Sequence, residues 1–130
     1  EGLVEPYVIV RKAGMKIGVI GLLTDIMKVV DKNIAMELQY QEPADVVIPL
    51  ASMLKDEKDC DMVICLSHLG YKEDKELASQ IKNVDVIVGG HSHTLLHKKQ
   101  VVVDSEGEEV VVVQNWKWGL NVGHLTVKAE

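Results

Sequence analysis

The chain has 130 residues, 47% of them hydrophobic and 26% charged, with a formal net charge of −6. That length predicts one domain with enough core to fold without disulfide or metal staples. The acidic balance argues against nucleic-acid polymers and anionic membrane surfaces as partners, and no apolar run approaches the ~18 residues of a membrane span.

In chain order, two β-type segments come first, YVIVRK (7–12) and KIGVIGL (16–22), with Ala13-Gly14 between them as a hairpin turn. The stretch TDIMKVVDKNIAMELQ that follows has poor periodicity and is read as loop with one helical turn at most. EPADVVIPLASMLKDEKD then reads as a helix opening at Glu42-Pro43, where proline suits the first helical position. Val46, Val47, Leu50, Met53 and Leu54 form its apolar stripe, and Pro49 predicts either a kink or a later start. DMVICLS (61–67) is an apolar run of strand length, the mark of a strand covered on both faces. KEDKELASQIK (72–82) is a short polar helix with Leu77 and Ile81 turned inward, and VDVIVGG (84–90) is a second buried strand. Strand–helix–strand in this order predicts a parallel pair with a right-handed crossover. QVVVDSEGEEVVVVQ reads as a hairpin about Ser105-Glu106-Gly107, and LNVGHLTVKA as a further strand. There is no internal repeat, low-complexity segment or linker.

Cys60 and Cys65 stand five apart, matching neither a CxxC redox motif nor a zinc-ribbon pair, and Cys65 reads as a buried thiol within an apolar run. Cysteine usage therefore leaves the compartment open. The chain opens on Glu1 rather than Met and shows no signal peptide, so it is read as a processed product or as a piece of something longer.

The chemistry-bearing residues gather where the buried strands end. In a parallel sheet, sites form at the carboxyl ends of the strands. One strand delivers His68 there, and the next delivers His91 and His93 after Gly89-Gly90. In extended backbone, residues two apart point the same way, so this pair would face one site or grip two adjacent ions. Neutral imidazole is the commonest ligand for zinc and similar borderline metals. An acidic chain that handles an anionic substrate also needs a local positive charge, which an ion supplies. The plain alternative is an HxH pair in a metal-free surface loop. His97, followed by Lys98-Lys99, reads as a solvated loop residue, and His124 as a structural residue of the last strand. Trp116 and Trp118 alternate at strand period and read as hairpin packing. Neither a glycine-rich phosphate loop nor a nucleophile elbow is present.

At CLSHLG and VGGHSHT the sequence resembles the metallophosphoesterase (calcineurin-like) superfamily, in its 5'-nucleotidase and 2',3'-cyclic phosphodiesterase branch. EPYVIVRKAGMKIGVIGLLT is similar to the segment that precedes those motifs there, and VVVQNWKWGLNVGHLTV to its closing strands, where a glutamine and glycines recur. The resemblance implies an α/β fold: part of a four-layer α/β-β/α sandwich, a mixed sheet with flanking helices, of which residues 1–130 are the C-terminal part of the catalytic domain. It places His68 and His91 on one divalent metal ion and His93 on a second, with zinc, manganese, iron, nickel and cobalt all suited to imidazole. It further implies a nucleotide or other phosphate ester as substrate, attacked in line by an activated water, and an extracytoplasmic (periplasmic or secreted) home. The family's D-x-H, G-D and G-N-H-[DE] motifs do not occur in this chain. The bridging carboxylate, the asparagine ligand and the histidine that assists the leaving group are therefore missing, and no catalytic residue is assigned. The expectation is a fragment of a 5'-nucleotidase-type hydrolase, weak or inactive alone, whose open sheet invites self-association or pairing with the missing N-terminal half. A non-catalytic binding or scaffold module, or one half of a split enzyme, stand as the alternatives.

Overall fold

The computed structural model describes residues 4–27 and 29–128. Lys28 and Ala129, which fall in the segments read as loop and as last strand, lie outside the described residues. The chain builds a mixed sheet with flanking helices, and its six strands among the described residues run in the order β1-β2-β3-β4-β6-β5. β1 (Tyr7–Lys12) and β2 (Met15–Leu23) pair antiparallel about a two-residue turn in which Lys12 faces Met15. Ala13 and Gly14 there have φ of 52° and 80°. Two successive left-handed residues match the right-handed twist of the flanking strands.

The next three strands run parallel to β2. β3 (Met62–His68) pairs with β2, β4 (Val86–Gly89) with β3, and β6 (Glu109–Gln114) with β4. β5 (Gln100–Val103) closes the far edge antiparallel to β6. The hairpin between them turns on Asp104, whose Oδ1 accepts from the amides of Glu106 and Glu108, with Gly107 at φ 92°.

The first two parallel crossovers are helical, and the third, from β4 to β6, runs through β5. α1 (Lys32–Glu37) is a short helix capped by Asp31, within the stretch whose periodicity is poor. α2 (Pro43–Asp56) joins β2 to β3, and α3 (Tyr71–Gln80) joins β3 to β4. Proline stands at the start of α2, and Pro49 sits inside the helix rather than delaying it. Pro49 is exposed, and so is Asp45, whose carbonyl loses its helical partner to the proline. Val47, Ala51 and Leu54 of α2 pack with Leu77, Ala78 and Ile81 of the α3 region against Ile20, Val63, Cys65, Ile87, Val110 and Val112 of the sheet.

Two right-handed crossovers that step in the same direction along a sheet put both helices on the same face. The core therefore lies on one side. On the other side stand Val8, Val10, Leu23, Leu66, Val88, Val101 and Val103, all exposed, with Leu66 at 58% and Val103 at 59%. This corrects the expectation that the apolar run at 61–67 is covered on both faces. Its residues are apolar on both sides, but helices cover only one. A second correction concerns the tail. Residues 121–128 form no strand, Trp116 and Trp118 have φ of 60° and 57°, and His124 is exposed rather than packed within a sheet. No helix among the described residues is long and apolar enough to cross a membrane.

Candidate functional site

The parallel strands β2, β3, β4 and β6 all end at one edge of the sheet, and that edge carries the polar residues of interest. His68 is the last residue of β3. β4 stops at Gly89, and the chain bends through Gly90, His91, Ser92 and His93. Gln114 ends β6 beside Gly89.

His68 and His91 come together, with ring centres 5.1 Å apart and planes at 67°. Gly90 makes this approach possible: a Cβ there would lie 3.2 Å from His68 Nδ1 and 3.3 Å from the Ser67 carbonyl. Metal–imidazole bonds of about 2.1 Å at a tetrahedral angle set two ring centres on a shared ion about 5 Å apart. The separation of His68 and His91 fits that requirement. His93 is placed differently. Its ring stands edge-on to Trp118, with centres 6.2 Å apart. Among the described residues no group of three or more His, Cys, Asp or Glu is gathered to hold one ion.

The reason lies in the backbone. The extended conformation expected for residues 91 and 93 is not what the chain adopts. Both are left-handed, at φ 68° and 53°, so strand alternation does not govern where their rings point. His97 is exposed in the following loop, as its neighbours suggest.

A buried polar network supports this edge. Gln114 is 3% exposed. Its Oε1 accepts from Ser92 Oγ at 3.0 Å and from the Thr94 amide, and its Nε2 donates to the Gly90 carbonyl at 2.9 Å. Ser92 Oγ also accepts from the Tyr71 amide at 3.0 Å, joining the loop to the start of α3. Beneath it, Ser67 Oγ donates to Asp74 Oδ1 and accepts from the Leu69 amide. Asp74 is fully buried, and its Oδ2 has no hydrogen-bond partner. Desolvation pushes its carboxyl above the usual range, Ser67 pulls it back, and the charge of Glu73 raises it again. Burial, with the Asp74 charge behind it, pushes the Cys65 thiol up to about 12.

Sequence reading passed over Asp74, Ser67, Ser92 and Thr94. One signal was available. Asp74 shares a helical face with Leu77, Ala78 and Ile81, so an acid stood on the inward stripe of an otherwise polar helix.

No protein-family model matches the chain. Curated relatives do. The trifunctional nucleotide phosphoesterase protein YfkN of Bacillus subtilis is 30% identical over 127 residues, covering 98% of this chain and 8% of that protein. The probable 5'-nucleotidase of Treponema pallidum is 31% identical over 141 residues, covering 98% of this chain and 24% of its relative. Among solved structures, the 5'-nucleotidase precursor from Thermus thermophilus superposes with a TM-score of 0.83 at 37% identity, over 92% of this chain and 25% of the other. The chain thus spans a quarter or less of these relatives. Nearly all of it is matched, in sequence and in three dimensions, and it therefore belongs to the 5'-nucleotidase and calcineurin-like phosphoesterase family, as one segment of those longer proteins.

Proposed function

We propose that this segment is the C-terminal part of a metallophosphoesterase catalytic domain, and that the whole protein hydrolyses nucleoside phosphates as a metal-dependent 5'-nucleotidase. The observation that carries the reading is the meeting of His68 and His91 at adjacent strand tips, at a separation suited to sharing one ion. In this reading His68 and His91 hold one divalent cation, and His93, on the other side of Ser92, belongs to a second. Such ions, when bound, polarise phosphate oxygens and lower the pKa of a water nucleophile. Imidazoles at 68 and 91 bind through neutral nitrogens and add no negative charge near an anionic substrate. The glycines at 89 and 90 bring the backbone close without side-chain bulk.

The open apolar face completes the proposal. A sheet with valine and leucine on both sides suits burial on both sides. In this reading the remainder of the catalytic domain lies outside this chain and supplies the missing layer of the sandwich and the carboxylate ligands. Alone, the chain lacks those ligands and is inactive. We place the whole protein outside the cytoplasm, a reading supported by the solved relative being named a precursor.

Isothermal titration with zinc or manganese tests the metal assignment. The chain should bind a divalent ion, and His68→Ala and His91→Ala should each abolish that binding. Affinity unchanged from the parent chain in either variant would sink the assignment. Hydrolysis of a nucleoside monophosphate should require the longer polypeptide, and metal-stimulated turnover by the 130-residue chain alone would refute the claim of inactivity.

A further inference from the structure

We infer that Gln114 is the positioning residue that presents His91 and His93 outward at the sheet edge; as a statement about metal ligands this rests on the reading just proposed. One buried carboxamide holds alternate residues of a single loop. It takes Gly90 through the carbonyl, Ser92 through the hydroxyl and Thr94 through the amide. The residues between those anchors are His91 and His93. Gly90 and Thr94 are half-buried where the carboxamide holds them, Ser92 is bound through its hydroxyl while staying exposed, and His91 and His93, which make no bond to it, are exposed. Both histidines are left-handed, an uncommon conformation that histidine nonetheless adopts more readily than most side chains. It persists where surrounding contacts over-determine it, and the Gln114 contacts are of that kind.

The same network sets the distance between the two strands' histidines. Ser92 Oγ accepts from the Tyr71 amide, three residues after His68. The loop after β4 is therefore tied to the chain leaving β3, not only to β6. Backbone bonds reinforce the tie to β6, since Trp116 N donates to the Thr94 carbonyl and Leu96 N to the Gln114 carbonyl. A carboxamide suits residue 114 because it must accept twice and donate once. A carboxylate keeps both acceptors and loses the donor to Gly90, whereas methionine fills the same length and keeps neither.

Supports behind metal ligands typically change affinity by about 10- to 100-fold when removed. The experiment compares the chain with Gln114→Met, Gln114→Glu and Ser92→Ala, using zinc or manganese titration together with amide hydrogen exchange. We expect Gln114→Met to weaken binding at least tenfold and Gln114→Glu to weaken it less. In the methionine variant the Thr94 amide should exchange faster while the core amides of β3 and β4 stay protected. Ser92→Ala, at an exposed position, guards against a folding failure of the other two and should speed exchange at Tyr71. Unchanged Thr94 exchange in a folded Gln114→Met variant would overturn the inference. Faster exchange with unchanged metal affinity would overturn its link to ligand placement. If the unaltered chain binds no ion, the metal reading fails, and the exchange data alone decide whether Gln114 holds the loop.

Discussion

Gly89 and Asp74 are packed so closely that there is no room for a side chain: a Cβ on residue 89 would collide with the buried Oδ2 of Asp74. The end of β4 and the first turn of α3 are packed together at this point, directly beneath the loop that carries His91. Neither neighbour is free to give way. Asp74 is held through its other oxygen by Ser67, and Gln114, whose Nε2 would lie 3.1 Å from the same Cβ, is held by three bonds to the loop.

Gly89→Ala should therefore destabilise the chain by about 1–3 kcal/mol, the usual cost of forcing an added methyl into a packed site. The urea midpoint of unfolding measures it. An unchanged midpoint would mean that the Asp74 carboxyl swings aside at little cost.

Asp74 also makes a prediction about pH. Desolvation raises its pKa in the folded chain, so the folded state holds the proton more tightly than the unfolded one. The stability this provides is complete below the unfolded carboxylate range, at about pH 4, and is lost as pH rises through the folded value. Asp74→Asn keeps an oxygen for Ser67 and has no charge to bury. Its stability should fall less between about pH 4 and neutrality than that of the parent chain. Parallel urea profiles for the two proteins across that range would count against the buried carboxyl as the cause.

Cys65 is fully buried, with its thiol pushed up to about 12, and Cys60 is buried as a free thiol. Thiolate is the reactive form. The folded chain should resist a thiol reagent such as DTNB at neutral pH, and both cysteines should react once urea unfolds it. Rapid labelling of Cys65 in the folded chain would show that its strand opens to solvent.

The uncovered sheet face should make the isolated chain associate with itself. Large exposed apolar patches mark surfaces that are buried in use. Leu66→Glu with Val103→Glu places charge at two exposed positions on that face, away from the helix-covered core. Light scattering after size-exclusion chromatography should show the parent as dimers or larger species, and the double variant shifted to monomer with its thermal midpoint held. A monomeric parent at high concentration would remove the argument that this face needs a cover.

Much of the architecture is readable from the letters. Hairpin turns at Ala13-Gly14 and around Gly107 announce themselves through their glycines, which tolerate positive φ. The runs at 61–67 and 84–90 announce parallel strands through continuous apolar composition, and the helical stripe at 46–54 places α2. These are local signals, carried by residues a few positions apart. The irregular end of the chain misleads for the same reason: alternation at 120–127 imitates a strand, yet a strand also needs a partner at the right place, and none is there among the described residues.

The sequence by itself determined that parallel strands would end in histidines at one sheet edge, because periodicity and strand order are properties of neighbours along the chain. Only the tertiary structure decided which histidines meet. His68 and His91 are paired through a glycine gap, and His93 is turned toward Trp118, by a loop whose course is set from β6 through Gln114. The same holds for the uncovered face. Apolar residues on both sides of a strand state that both sides suit burial, but which side the helices take follows from crossover handedness acting across the whole sheet.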